Sequence, residues 1–351
     1  MLVAPDAFKG TFAAGEVAAA IARGLEARGR PADLCPIADG GEGTLEVLAA
    51  ALGAEIHQAA VDDPLGRPVQ AEWGLLRAGE TLGSGDGAAR ARAGALARIG
   101  VGGRGHRGTT AVVEAAQASG LDLVAAAERD PLGATTRGTG QLIVAAIDAG
   151  AETVLLGVGG TATTDGGSGA IRAIRAAGGL RQTRLTVLCD VQTPFEDAAD
   201  VFGPQKGADR DQVRQLTRRL EGNARRLPRD PRRVPMTGAA GGLAGGLWAA
   251  FGAELRAGAP AVLDALGFDV RMRAARAVVT GEGKLDRQSL AGKALSEVAT
   301  RARQAGVPCH AVVGSRALGP FEARILDLQG ILGASTLAQI EAAGRRLAEV
   351  L

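Results

Sequence analysis

The sequence predicts two α/β domains, one built from both chain termini around a parallel sheet and one inserted in the middle. Three observations carry that expectation. The chain has 351 residues, and at ~150 residues per domain this suggests about two domains. Strand-like and helix-like segments alternate at both ends, the order of a parallel sheet covered by helices. Between the ends lies a region of different character. These readings place the first domain at 1–76 with 277–351 and the second at 77–276.

In chain order, Leu2–Ala4 is a short apolar run that reads as a strand, and Val17, Ile21 and Leu25 follow at helical i, i+4 spacing. Leu34–Ala38 reads as a second strand, with a helix marked by Leu45, Leu48 and Leu52 behind it. The segment 83–108 is rich in Gly, Ala and Arg and reads as a flexible or irregular connection. Thr110–Ser119 and Thr139–Ala149 read as helices, Thr153–Val158 and Leu185–Asp190 as buried strands, and Gln212–Arg233 as an Arg-rich helix and loop. The β-α rhythm returns with Ala277–Thr280, Leu290–Ala305, His310–Gly314, Ile331–Gly333 and a last helix at Ala338–Leu351.

Composition excludes several classes. Apolar residues make up 46% and charged residues 22%, so the chain has a core to bury and is not of disordered type. A formal charge of +2 gives no reason to expect a polyanion partner. Arg214–Arg233 concentrates arginine, but with no Tyr in the chain there is little aromatic surface for base stacking, and a solvated face is the simpler reading. No nucleic-acid partner is expected. Cys35, Cys189 and Cys309 form no CxxC or His/Cys cluster, which gives no support for a zinc site or a disulfide framework and fits a cytoplasmic protein. Asp6 and Lys9 interrupt the N-terminal apolar run, and no stretch is apolar enough to span a bilayer, so neither signal peptide nor membrane association is expected.

The lysines carry the sharpest functional signal. There are only four, Lys9, Lys206, Lys284 and Lys293, and each is adjacent to a glycine. Lys is a compact point charge, and a neighbouring glycine lets the backbone approach a ligand closely, so the pairing points to anion sites, most naturally phosphate. Three acidic, glycine-rich loops accompany them: 38–44 (ADGGEGT), 159–167 (GGTATTDGG) and 279–286 (VTGEGKLD). Each is expected at the carboxyl end of a strand, where ligands of parallel sheets bind. Their N–H groups suit phosphate oxygens, and their carboxylates suit Mg²⁺ or the proton of an attacking hydroxyl. There is no GxxxxGK[ST]. The GxGxxG at Gly103–Gly108 follows no clear strand, and Gly157–Ala162, which fits GxGxxA, has no acidic residue ending a following strand, so a nicotinamide cofactor has weak support.

Taken together these motifs make the chain resemble the type-1 glycerate kinase family. The segments that match are APDAFKG at 4–10, PIADGGEGT at 36–44, EAAQASGL at 114–121, GTGQLI at 138–143 and GVGGTATTDGG at 157–167. CDVQTPF at 189–195, FGPQKGA at 202–208, GAAGGLAGGL at 238–247 and VTGEGKLDRQSLAGK at 279–293 follow in the same order. The resemblance implies a kinase that uses ATP and Mg²⁺ to phosphorylate D-glycerate, giving 2-phosphoglycerate, in a monomer or homodimer whose terminal domain is Rossmann-like. It places catalytic roles on Asp39, Asp190, Lys9 and Lys293. Substrate or phosphate contacts fall on Asp6, Gly40, Gly41, Glu42, Lys206, Gly159, Gly160, Thr161, Gly281, Gly283 and Lys284, and metal ligation on Asp165, Glu282 and Asp286. The chain departs from the family pattern at Ala7 (usually Ser), at Thr164 and Thr193 (usually Asn), and at Thr136-Arg137 (usually Ser-Tyr). It is also shorter between Gly169 and Leu185, while 83–108 stands as an insertion. A non-catalytic nucleotide or sugar-acid sensor on the same fold, or an NAD(P)-dependent oxidoreductase, are the alternatives the sequence leaves.

Overall fold

The structure, a computed structural model, describes residues 1–77, 94–95, 108–290 and 293–351. It is α/β, with eleven strands in two sheets among the described residues: β1 (Leu2–Pro5), β2 (Asp33–Leu34), β3 (Glu55–Asp62), β4 (Pro68–Leu76), β5 (Thr110–Glu114), β6 (Thr153–Gly157), β7 (Arg184–Cys189), β8 (Glu254–Ala257), β9 (Val278–Leu285), β10 (Cys309–Arg316) and β11 (Gly330–Gly333). The chain divides into two compact units, 1–39 with 259–351, and 40–258. No helix among the described residues is long and apolar enough to cross a membrane.

The first unit holds a five-stranded parallel sheet in the order β11-β10-β9-β1-β2. Its central strands are apolar on both faces, as a sheet covered on both sides requires: β1 is buried throughout, as are the first five residues of β9 and of β10. On one face the helix Ala14–Glu26 turns Val17, Ile21 and Leu25 inward against Val3 and Val279. It meets the C-terminal helix Leu337–Val350 where Gly24 and Gly344 face each other, and a side chain at either position would run into the other helix's backbone. The expected strand 34–38 is shortened to Asp33–Leu34. Cys35 and Ile37 still donate their N–H groups to the Val3 and Pro5 carbonyls at 2.8 and 3.0 Å, but Pro5 has no N–H to return, so the ladder closes there.

The second unit holds a six-stranded mixed sheet in the order β3-β4-β5-β6-β7-β8. β5 through β8 run parallel, and β3 and β4 form an antiparallel hairpin added to β5. The hairpin turn is built around Asp63, whose Oδ1 accepts from Leu65 N and Arg67 N at 2.8 and 2.9 Å, with Gly66 at a φ of 84°. The core combines Trp73, Leu75 and Val113 with Leu142, Leu156, Ile174 and Leu247.

Two sequence readings are corrected here. The first domain does not extend to residue 76, nor does the second end at 276, because the helix Thr44–Leu52 and the β3–β4 hairpin pack on and pair with β5 of the second sheet. Thr110–Ser119 is not one helix but β5 followed by a single turn at Ala116–Ser119. Its Thr-Ala-Val-Val run is buried on both faces between β4 and β6, and periodicity alone does not separate such a strand from a buried helix. Of the segment 83–108, all but Gly94, Ala95 and Gly108 lies outside the described residues.

Candidate functional site

In the first unit, the strand ends that follow β1 and lie within β9 enclose a cavity of about 310 Å³. Six charged side chains line it: Asp6, Asp39, Glu282, Lys9, Lys284 and Lys293. Three of the chain's four lysines thus meet three carboxyl groups at the carboxyl ends of parallel strands, where such sheets place ligands. The backbone explains how they meet. Asp6 leaves β1 with its N–H bonded to Gly281 O at 2.9 Å, and the following loop closes through the Phe8–Phe12 bridge. That loop lies flat on β9 because Gly283 has no side chain: a Cβ there would sit 3.1 Å from Phe8 Cα. Lys293 stands immediately before the helix Ala294–Ala305.

The electrostatics of the cavity are crowded. Asp39 is 1% exposed, with Oδ2 3.2 Å from Lys9 Nζ. Asp6 is pushed up to about 8, first by burial and then by the charge of Asp39, against the opposing pull of Lys9 and the Ala7 N–H. Glu282 is pushed up to about 7, again chiefly by burial, with Asp286 and Asp39 adding to it and Ser289 and Lys293 pulling it down. Its Oε1 is buried without a hydrogen-bond partner. Asp286 does not line the cavity. Its carboxylate accepts from Gln288 N at 2.9 Å and lies 3.5 Å from Lys284 Nζ.

The raised pKa of Glu282 sets a pH dependence of stability. A carboxyl group whose folded pKa lies above its unfolded value favours the fold while protonated, and that contribution is lost as pH rises from the ordinary glutamate range through about 7. Glu282→Gln therefore flattens this part of the profile. Denaturation followed at about pH 5 and about pH 8 is expected to show a smaller loss of stability for the variant than for the parent chain. An equal or larger loss would contradict the assignment.

The remaining candidates lie in the second unit, which organises them differently. The loop Gly40–Gly43 rests on the β6 loop, where Cβ atoms at Gly157 and Gly159 would meet Gly40 O at 2.9 Å and Gly41 Cα at 2.5 Å. Glu42 passes over Gly160, with Oε2 3.7 Å from where a Cβ would stand. Thr161 pairs with Gly120 in an isolated bridge. Asp190 directly follows β7. Lys206 is buried and donates to Thr163 O at 2.6 Å and Thr161 Oγ1 at 3.4 Å, tying the turn Pro204–Lys206 to the threonine loop. Burial draws its pKa down to about 7, opposed by the charge of Asp165.

Asp165 is placed as a structural acceptor and not as an open ligand. Its carboxylate takes the N–H groups of Thr136, Gly167 and Gly169 at 3.1, 3.0 and 2.9 Å. The hydroxyls of Thr135, Thr136 and Ser168 also reach it. A carboxylate so occupied does not fit Mg²⁺. Glu282, with a buried oxygen unpartnered, does fit the pattern of one or two carboxylates plus phosphate oxygens that Mg²⁺ takes. No group of three or more His, Cys, Asp or Glu among the described residues could cage a metal alone.

Sequence reasoning passed over Glu114, Thr136, Thr11 and Ser335. Thr11 and Ser335 line the cavity, and nothing in their local sequence marks them. Thr136 Oγ1 serves both Asp165 and Ala170 N. Glu114 was legible as the one charge ending the apolar run of β5. It accepts from Gly43 N and Leu45 N at 3.3 and 3.1 Å.

Comparison with known proteins gives a consistent result. The family described as the glycerate kinase family matches residues 1–178 and 174–346. Glycerate 2-kinase of Escherichia coli K12 is 36% identical over 353 residues, covering 90% of this chain and 85% of that protein. A glycerate kinase of Bacillus subtilis 168 is 38% identical, covering 90% and 85%. A crystal structure of a protein provisionally assigned as glycerate kinase 2 in Salmonella typhimurium LT2 superposes with a TM-score of 0.75 at 32% identity, covering 99% of this chain and 97% of that one.

Proposed function

The chain belongs to the glycerate kinase family and is a kinase, and on that premise we propose that it transfers the γ-phosphoryl group of ATP, with Mg²⁺, to the C2 hydroxyl of D-glycerate. The observation that carries the reading is the convergence of Lys9, Lys284 and Lys293 with Asp6, Asp39 and Glu282 on one cavity. Phosphoryl transfer asks little covalent chemistry of a protein and depends on positioning and charge neutralisation.

In this reading the three ammonium groups neutralise phosphate and carboxylate oxygens. Asp39, held beside Lys9, accepts the proton of the attacking hydroxyl as its oxygen bonds to the γ-phosphorus and the bond to the ADP oxygen breaks. Asp190, at the end of β7, is the second candidate acceptor. Glu282 would hold Mg²⁺, with Asp286 beyond it, and Mg²⁺ when bound supplies charge neutralisation across the transferring phosphate. Gly40–Glu42 and Gly159–Thr161 are the proposed substrate-contact elements of the second unit, and the buried Lys206 supports the threonine loop from within. Asp6, which burial and Asp39 hold near neutral, would donate a hydrogen bond in the cavity of the first.

The test is direct. The purified chain is incubated with ATP, Mg²⁺ and D-glycerate, and the product is read by phosphorus NMR. A new phosphomonoester split by a single proton establishes the C2 product, and splitting by a CH₂ pair moves the reaction to C3. ATP consumption without a new ester, or none at all, overturns the proposal.

A further inference from the structure

We propose that Glu114 is a positioning residue, a remote carboxylate that sets the loop Gly40–Gly43, which carries Glu42, by capping the helix that follows it. The inference rests on the kinase reading and deepens it.

The helix Thr44–Leu52 begins at Gly43, which has a φ of 85° and no side chain. With glycine at the N-cap position there is no local side chain to accept from the first N–H groups of the helix, so an acceptor must come from elsewhere. Glu114 supplies it from the carboxyl end of β5, itself 2% exposed. Its Oε1 accepts from Gly43 N and its Oε2 from Leu45 N. The negative charge also sits at the positive end of the helix dipole. On the other side, the bare backbone at Gly157 and Gly159 supports Gly40 and Gly41. The loop is thus held from two sides, and Glu114 is the side chain that accepts from its N–H groups. Glu42 is joined directly to Gly43, so a shift of the capped N–H groups would move its carboxylate.

Three variants test this. Glu114→Ala removes both acceptors. Glu114→Gln keeps one oxygen. Leu48→Ala opens a cavity on the buried face of the same helix and serves as a control for destabilisation alone. In Glu114→Ala, kcat for glycerate phosphorylation is expected to fall roughly 10- to 100-fold, the scale of a small misplacement of reacting groups, with KM for ATP changed by less than about 3-fold. Glu114→Gln is expected to recover most of that loss. Amide exchange of the peptide 39–45 is expected to rise at least ~10-fold in Glu114→Ala as the loop opens locally. That readout requires no catalytic activity, so it tests the positioning even if the parent chain phosphorylates nothing, a result that would count only against the kinase reading. Unchanged exchange in the loop overturns the proposal. So does a kcat within about 2-fold of the parent, or a Leu48→Ala variant that loses as much kcat at a matched loss of thermal stability.

Discussion

Replacing Asp39 with Asn is expected to lower kcat by at least ~100-fold, the scale of a lost general base, while leaving the fold intact. The side chain is buried, and Asn fills nearly the same volume, so no cavity opens. What disappears is one negative charge among three carboxyl groups and three ammonium groups in a space of about 310 Å³. Lys9 loses the Asp39 carboxylate, but Asp6 stays beside it, and at 43% side-chain exposure it can also turn to water at little cost. Asp6 and Glu282 stay raised by burial but lose the like charge of Asp39 that adds to it, which offsets part of the cost of the change in the empty protein. The loss is therefore expected in turnover rather than in folding or in KM for ATP, since the lysines remain. Steady-state kinetics beside thermal denaturation separate the two. A variant that folds and turns over at the parent rate would remove Asp39 from proton transfer and leave Asp190 as the acceptor to test.

How much of this was legible beforehand depended on the physics of each segment. Leu2–Ala4, Thr153–Val158 and Leu185–Asp190 read as strands because parallel strands buried on both faces show as short unbroken apolar runs. The same logic misled at Thr110–Ser119, where a four-residue buried run before Glu114 is too short for periodicity to separate a strand from a helix. The hairpin β3–β4 was hidden because one face mixes Gln58 and Glu72 with Ile56, while exposed Glu55 stands on the other, which blurs the two-residue alternation. The domain boundary moved with it. In the site, the glycine-flanked lysines were a strong signal, yet the fourth behaves differently from the other three. Lys206 is sealed inside the second unit and ties a turn to the threonine loop, and nothing local to its sequence distinguishes it from the cavity lysines. Asp165 and Asp39 likewise sit in similar glycine-rich loops. Only the placement of Thr135 and Thr136, some thirty residues earlier in the chain, shows that the first is consumed by the fold.

That distinction gives the second large effect. Asp165→Ala is expected to cost about 3–5 kcal/mol of stability, because it strands several buried donors at once and each unsatisfied donor costs ~1–3 kcal/mol. The N–H groups of Gly167 and Gly169 open the helix Ser168–Ala176, whose cap residue Gly167 has no side chain to replace the lost acceptor. Thr136 would lose its acceptor while still bound to Ala170 N, so the damage spreads to the start of the helix Arg137–Asp148. Against a total of ~5–15 kcal/mol for a typical domain, this is enough to unfold a large fraction of the second unit on mild heating. Asp165→Asn should cost less, since one oxygen still accepts, but its amide then faces N–H groups as a donor against donors. The contrast with a metal ligand is sharp. A ligand replaced by Asn would raise the Mg²⁺ concentration needed for turnover and leave urea denaturation nearly unchanged; a structural acceptor does the reverse. A double-mutant cycle of Asp165→Asn with Thr136→Val, read by urea denaturation, should give a coupling above about 1 kcal/mol, as expected for partners in one buried hydrogen-bond network. Additive effects, together with a raised Mg²⁺ requirement in Asp165→Asn, would return this carboxylate to the metal.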